Sequence, residues 1–431
     1  MKKIFLYCLP FCLLFASCSD LLDEESYSET GKGNYLNNAK EAETVLQGVY
    51  KNLANEYTYS YHLSLLFTIS TDIAQCEGSS TTSFREIPTN SHNASTSQIS
   101  RTWQQLYSAI YDANDFIETV SGRMDSWGSS DRELATIYLG EARALRALFY
   151  FELVRWYGNV VLMTSTADSR KKDEDYEQTA AKDVYAYIEE DLKYAAEVLP
   201  WAVDDTKRTS NAYRFSKGAA LGLLAKVYCT WAGYPVKDES KWAEAEKVAR
   251  RVVESGKHRL ISDYETVWKN TCNGIWDAGE SLIEVSFYSP TGLDSDNTAG
   301  RIGKWNGVSA TTIDGERGRN AANWKVVYTF TRDWEAQNDP RMKLSIADYK
   351  YDHTLGSGPI TYFSTISSAN PSEDQKNRQR QLFTPGKWDT EKYVETSNYI
   401  VNNDKSNVNW YILRYSDVLL LFAEALNESG G

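Results

Sequence analysis

The residues of this sequence most suited to ligand chemistry are aromatic side chains placed beside polar ones. Trp305 directly precedes Asn306 and follows Arg301 by four positions. A pyranose ring has apolar C–H faces on which a flat aromatic ring packs, and rings with a polar tip favour such half-wet contacts. We therefore expect non-covalent saccharide binding by these residues: Trp276, Tyr288, Arg301, Trp305, Asn306, Trp324, Phe84 and Arg85.

The alternative for any single ring is a structural one. The chain has 13 Trp and 29 Tyr residues, and helical repeats also pack with aromatic side chains. Trp103 and Tyr107 have the spacing of a helix core and are expected to be structural. Phe84 and Arg85 come from an irregular stretch between two predicted helices and are expected to form a second wall of the ligand site.

The sequence lacks the motifs that several other kinds of chemistry require. The four histidines are scattered and form no H-E-x-x-H motif, so neither a metal nor a cofactor is expected. Asp294 and Asp296 begin a calcium-loop pattern that Thr298 and Ala299 interrupt. The net charge of -13 argues against nucleic acid as a partner. Glycoside hydrolysis needs only two carboxylates at a set separation, so a hydrolase stays an alternative.

The amino-terminal residues resemble a bacterial lipoprotein leader. Lys2 and Lys3 precede an apolar run that is too short to cross a bilayer, and the run ends at Ser17-Cys18. We expect residues 1–17 to be a signal peptide and Cys18 to be lipidated, with 18–35 as an acidic tether. The lipid would then be the protein's only membrane anchor. Past the leader, Cys76, Cys229 and Cys272 form an odd set without metal spacing, which favours buried thiols over a bridge.

Amphipathic helical patterns dominate the rest of the first two thirds of the chain. Apolar residues recur with helical spacing in several segments: 39–53, 98–120, 181–199, 216–232, 242–253 and a long helix after Ser130 that stops at Gly158. Ser130 and Glu133 have the spacing of a capping box. Helices joined by short turns, with Ala at close contacts, are typical of tetratricopeptide-like repeats.

The chain changes character after these helices. Residues 280–287 alternate like a β-strand, and 288–408 are rich in Gly, Asn, Asp, Ser and Thr. Long loops in a compact protein are usually functional or disordered, and the tryptophans here favour an ordered segment. A further helix is predicted for 410–427, with Arg414 and Asp417 able to pair on its polar side.

Four of these stretches carry a family resemblance. Residues 141–158 read EARALRALFYFELVRWYG, 191–200 read DLKYAAEVLP, 215–228 read FSKGAALGLLAKVY and 414–428 read RYSDVLLLFAEALNE. In this order, behind a lipoprotein leader, they resemble the SusD/RagB family of outer-membrane nutrient-binding lipoproteins over about residues 36–428. One departure is at 159–162, where NVVL replaces the family's usual D-V-P-L.

The resemblance implies a fold and a function. It implies a mostly helical, right-handed superhelix of tetratricopeptide-like pairs in a single domain, 36–431, with repeats at about 36–270 and 409–428. A loop-rich ligand-binding subdomain at about 271–408 would carry short strands. The implied role is to capture an oligosaccharide or polysaccharide at the cell surface for a SusC-like TonB-dependent transporter. Peptide capture is the alternative within the family. Because family members usually continue further, we expect the sequence to be truncated after Gly431.

Overall fold

A computed structural model describes most of the chain. The described residues are 35–69, 71–77, 83–208, 210–289, 299–310, 319–352, 360–363, 372–395 and 404–430. The predicted signal peptide and Cys18 lie outside them, as does the predicted tether up to residue 34. Among the described residues, no helix combines the length and the apolarity needed to cross a bilayer.

Helices dominate the described residues. They are α1 (Ala39–Lys51), α2 (Ser83–Glu86), α3 (Ser97–Arg123), α4 (Ser129–Tyr157), α5 (Ala181–Val198), α6 (Lys217–Ala232), α7 (Lys241–Val253), α8 (Tyr264–Cys272), α9 (Tyr328–Glu335), α10 (Met342–Ser345), α11 (Glu373–Arg380), α12 (Thr390–Tyr393) and α13 (Tyr415–Ser429). The long helices predicted before residue 254 are confirmed, with ends within a few residues of those expected.

The long helices stack in chain order. Helix α3 packs on α4, α4 on α5, α5 on α6 and α6 on α7, while α13 returns from the far end of the chain to cover α7. Stacking between neighbours buries apolar faces that no helix pair buries alone. The mostly helical, tetratricopeptide-like fold class is therefore confirmed, with small strand elements attached to it.

Helix α4 is the centre of this stack. It is buried along most of its length, and it ends at Gly158, whose backbone φ of +77° suits a glycine. The predicted capping box at its start is wrong. The N-cap residue is Gly128, no side chain caps the helix, and Glu133 forms an ion pair with Lys207 instead.

Several charged side chains form buried contacts between helices. Arg146 of α4 donates two hydrogen bonds of 2.8 Å to Asp191 of α5 and one of 2.7 Å to Asn114 of α3. Buried charges need such complete pairing, because an unpaired one loses its hydration without compensation. Glu141 pairs with Arg208 and Arg214 and ties α4 to the segment before α6.

The strands are short and pair two by two. They are β1 (Ala74–Cys76), β2 (Ser281–Val285), β3 (Trp324–Val326), β4 (Ile346–Ala347), β5 (Tyr349–Tyr351), β6 (Ile360–Tyr362), β7 (Thr384–Pro385) and β8 (Trp410–Arg414). The antiparallel pairs are β1–β3, β2–β8, β4–β7 and β5–β6. The strand predicted at 280–287 is confirmed as β2.

The last predicted helix needs correction. Residues 410–414 are a strand, and the helix begins only at Tyr415. Pairing with β2, in which Ser281 lies opposite Arg414, outweighs the local helical pattern because the partner strand supplies hydrogen-bond partners for the backbone. Arg414 and Asp417 meet through the backbone, since the Asp417 carboxylate accepts the N–H of Arg414 at 3.3 Å, while the Arg414 guanidinium group binds Glu280 at 2.9 Å.

The three cysteines past the leader were expected to be thiols and not to form a bridge. Cys76, Cys229 and Cys272 are free, and the last two are buried.

Candidate functional site

Five side chains from four parts of the chain form one cluster, four of them aromatic. They are Tyr61, Phe84, Arg301, Trp305 and Trp324, and we call them the Trp305 cluster. The ring centroid of Trp305 lies 5.1 Å from that of Tyr61, 5.6 Å from that of Phe84 and 6.0 Å from that of Trp324. The guanidinium carbon of Arg301 lies 4.7 Å from the centroid of Tyr61, a distance typical of cation–π contacts.

A tight glycine turn presents Trp305. The backbone φ of Gly303 is +82°, and its N–H donates to the side-chain oxygen of Asn306 at 2.7 Å. A Cβ atom on Gly307 would fall inside van der Waals contact with the carbonyl oxygens of Gly303 and Trp388. The turn therefore requires glycine at a close approach of backbone to backbone.

The indole of Trp305 is fixed at its polar end. Its Nε1–H donates to Asp404 at 3.1 Å. The turn itself is tied to the helical stack, since the N–H of Arg301 donates to the carbonyl oxygen of Ser60 at 3.1 Å. A half-buried ring held at one edge keeps its orientation and still offers apolar surface to a ligand.

Tyr61 and Trp324 reach the cluster from other elements. Tyr61 lies between two short π-helical turns, Glu56–Ser60 and His62–Leu66. Trp324 begins β3 and lies opposite Cys76 of β1. The two residues are 5% and 4% exposed. They form the base of the cluster, beneath the more accessible rings of Trp305 and Phe84.

Phe84 and Arg85 form the adjacent wall. Both are half-buried on the short helix α2. The guanidinium carbon of Arg85 lies 4.7 Å from the centroid of the Phe84 ring, and its Nε–H donates to the carbonyl oxygen of Glu77 at 2.8 Å. Aromatic faces and a guanidinium group thus lie side by side, which suits a ligand with both C–H faces and hydroxyl groups.

The charges around the cluster are compensated. Arg301 pairs with Glu56 at 2.7 Å. Burial, helped by the charge of Arg301, lowers the pKa of His62 to about 3, and its Nδ1 lies 2.7 Å from the hydroxyl of Thr102. Burial raises the pKa of the Tyr61 phenol above its ordinary value. His62 and Tyr61 therefore stay neutral across physiological pH, so their titration does not change the charge of the cluster there.

The sequence-predicted residues fall into two groups. Phe84, Arg85, Arg301, Trp305 and Trp324 come together, and Asn306 supports the turn from a buried position.

Trp276 and Tyr288 lie elsewhere. Trp276 lines a cavity of about 600 Å³ with Arg259 and Asp277. Tyr288 lines a different cavity of about 500 Å³ with Tyr213.

Sequence reasoning missed Tyr61, Asp404 and Tyr213. Tyr61 belongs to a tyrosine-rich run, EYTYSYH at 56–62, whose density was the one available signal. Asp404 and Tyr213 carry no local pattern, and their roles depend on contacts with distant residues.

Comparisons with known proteins identify the family. A family described as starch-binding and associating with the outer membrane matches residues 20–229, and the SusD family matches 290–431. The crystal structure of a SusD homolog from Bacteroides thetaiotaomicron has 55% sequence identity and a TM-score of 0.87, covering 94% of this chain and 77% of that one.

More distant proteins are similar in sequence or in structure. A SusD-like protein of Bacteroides ovatus is 25% identical over 445 residues, which cover 99% of this chain and 72% of that protein. Surface glycan-binding protein A from Bacteroides thetaiotaomicron, in complex with laminarihexaose, has a TM-score of 0.68 and 18% identity, covering 91% of this chain and 79% of that one. The chain belongs to the SusD family of glycan-binding proteins that associate with the outer membrane.

Proposed function

We propose that this protein captures an oligosaccharide or polysaccharide at the Trp305 cluster without cleaving it. On this proposal it hands the glycan to a SusC-like TonB-dependent transporter. The observation that carries the proposal is the half-buried ring of Trp305, flanked by Phe84 and Arg85 and fixed by Asp404. The glycan-binding family supports a saccharide as the ligand.

The geometry favours reversible binding. Ring stacking with a few hydrogen bonds gives modest affinity and fast release, which a capture protein needs. The cluster is built before any ligand arrives, because Trp305 and Arg301 are already held by protein contacts. Such preorganisation avoids the entropic cost of ordering side chains on binding.

The carboxylates beside the cluster support a binding role over hydrolysis. Glu56 forms an ion pair with Arg301, and Asp404 accepts the hydrogen bond of the Trp305 indole. A glycosidase needs one carboxyl group as an acid and a second as a base or nucleophile, on opposite sides of the scissile bond. Both of these carboxylates are instead used to position a ring and a guanidinium group.

We further propose the cellular arrangement. Lipidated Cys18 anchors the chain at the cell surface, and residues 18–35 tether one domain spanning 36–431, in which 271–408 carries the ligand subdomain. A tether raises the effective concentration of the domain near its transporter. Mass spectrometry of the amino-terminal peptide tests the anchor. Co-purification from cross-linked outer membranes tests the partner.

The binding proposal is tested with full-length protein solubilised in mild detergent. The probes are laminarin, starch and xylan in affinity electrophoresis and their hexasaccharides in calorimetry. Trp305→Ala is expected to weaken binding about tenfold or more, which corresponds to ~1.4 kcal/mol. The matched control is Tyr234→Ala, because Tyr234 is 81% exposed on a loop after α6.

Three outcomes would contradict this function. Wild-type protein that binds no glycan in the panel or in a wider glycan array would overturn it. Equal affinity in wild type and a Trp305→Ala variant with an unchanged melting temperature would remove the site. New reducing ends appearing during incubation with a polysaccharide would establish hydrolysis in place of simple capture.

A further inference from the structure

We propose a second saccharide-binding surface formed by Tyr213, Trp276 and Tyr288, which we call the Tyr213 surface. It would let the protein hold one long glycan chain at two places. The inference rests on the proposed glycan-binding function and adds that a long glycan binds more tightly than a short one, because it contacts both surfaces.

Tyr213 links the two predicted residues that lie outside the Trp305 cluster. Its ring centroid is 6.1 Å from that of Trp276. It also lines the cavity of about 500 Å³ that Tyr288 borders. Its hydroxyl donates to the carbonyl oxygen of Gly274, which fixes the ring at its polar end. Trp276 and Tyr288 are therefore connected through one oriented tyrosine.

The backbone at Tyr213 is strained and firmly held. Its φ of +61° lies in the left-handed region, which is unfavourable for a residue with a bulky side chain. The neighbours hold this conformation: Asn211 donates to the carbonyl oxygen of Ala202 at 2.7 Å, and Arg214 binds Glu141 at 2.7 Å. Strained residues that the surroundings over-determine cluster at ligand sites.

The surface combines apolar rings with polar groups. Tyr288 is 66% exposed. Gln47, Lys51 and Ser286 are exposed side chains that line the same cavity. A cavity of this size, with a few polar groups around apolar walls, is typical of small-molecule sites. Rings beside an amide, an ammonium and a hydroxyl suit a polyhydroxylated ligand.

The Tyr213 surface adjoins the Trp305 cluster. Ala54 lines the cavity of the Tyr213 surface, and Glu56, two residues later, binds Arg301 of the cluster at 2.7 Å. Two such residues have Cα atoms at most ~7.6 Å apart, because consecutive Cα atoms are about 3.8 Å apart. A single glycan chain that crosses this segment would contact both surfaces, and its second contact would be intramolecular.

The experiment compares long and short ligands on the full-length protein in mild detergent. The probes are laminarin, starch and xylan with their hexasaccharides, and the variants are Trp305→Ala, Tyr288→Ala, Trp276→Ala, the Trp305→Ala/Tyr288→Ala double variant and the exposed control Tyr234→Ala. Calorimetry should give two hexasaccharides per wild-type chain and one per Trp305→Ala or Tyr288→Ala chain. Each of these single variants should lose on the order of 10²-fold in polysaccharide affinity through lost avidity.

The outcomes separate this inference from the proposed function. One hexasaccharide per wild-type chain, with binding lost in Trp305→Ala and unchanged in Tyr288→Ala and Trp276→Ala, would overturn the second surface and leave the function intact. Binding lost in Tyr288→Ala and unchanged in Trp305→Ala would overturn the two-site arrangement. No binding by wild type would overturn both. Residual polysaccharide binding in each single variant and its loss in the double variant would support the two surfaces.

Discussion

At the scale of single residues, the carboxyl group of Glu284 is unusual because its pKa lies near neutrality. It lies on β2 and is 2% exposed. It accepts hydrogen bonds from Ser281 at 2.7 Å and from Asn409 at 2.8 Å. Burial raises its pKa to about 7 from an ordinary 4.5, because the hydrogen bonds only partly replace the hydration of the charged form.

This pKa predicts a pH-dependent stability that Glu284→Gln removes. Between pH 4.5 and about 7 the unfolded chain releases the proton while the folded chain keeps it, so the stability of the wild type falls as pH rises. The loss is on the order of 3 kcal/mol, since one pKa unit equals about 1.4 kcal/mol. The free energy of unfolding, measured with urea at pH 5 and pH 8, should therefore increase for Glu284→Gln relative to the wild type as the pH rises.

The control for this prediction is Ser286→Ala, an exposed and non-titrating change just beyond the same strand. It should follow the wild-type pH profile. A Glu284→Gln variant whose stability keeps a constant difference from wild type at both pH values would contradict the prediction.

At the scale of elements, the turn 301–307 makes the most specific demand on the sequence. We predict that Gly307→Ala destabilises the protein by about 1–3 kcal/mol, the usual cost of overpacking, because the new Cβ meets two backbone carbonyl oxygens. The same shift should displace Trp305 and weaken glycan binding. Thermal unfolding and calorimetry measure the two effects.

The matched control is Gly122→Ala on α3, where a Cβ would meet nothing within 4 Å. Alanine favours a helix over glycine by about 1 kcal/mol, so this variant should be as stable as the wild type or more stable. Equal melting temperatures for the two alanine variants would mean that the turn accommodates the new Cβ atom without losing stability, which would contradict the prediction.

Elements also differ in how far the sequence predicts them. The helix at 217–232 follows from its own residues, since Ser216 caps it and its alanines and leucines favour helix. The strand 410–414 does not, because its pairing partner, β2, lies far earlier in the chain. A run of Trp, Tyr, Ile and Leu fits either structure locally, and the tertiary partner decides.

At the scale of the whole molecule, the candidate site also depends on contacts between residues that are distant in the sequence, which the sequence alone does not predict. A ring beside polar neighbours, as at 301–306, was enough to find Trp305 as a candidate. The base that supports it could not be predicted, because Tyr61, Trp324 and Trp305 are far apart in the sequence and are brought together by the fold, in which the glycine turn is hydrogen-bonded to Ser60. For the same reason, the sequence grouped Trp276 and Tyr288 with Trp305, whereas in the fold they line two cavities outside the Trp305 cluster.

The net charge of the molecule yields a last prediction. A neutral glycan bound by ring faces has no charge to be screened, so its affinity should stay within about twofold between 0.1 and 1 M NaCl, although the screening length falls from ~10 Å to ~3 Å. A chain with a net charge of -13 should repel an anionic glycan at low salt and bind it more tightly at high salt. A cationic peptide should show the opposite trend.

Calorimetry of laminarihexaose, a uronic-acid oligosaccharide and a lysine-rich peptide at both salt concentrations distinguishes these cases. A tenfold weaker affinity for the neutral glycan at 1 M NaCl would mean that ion pairs, and not stacking on Trp305, carry the binding.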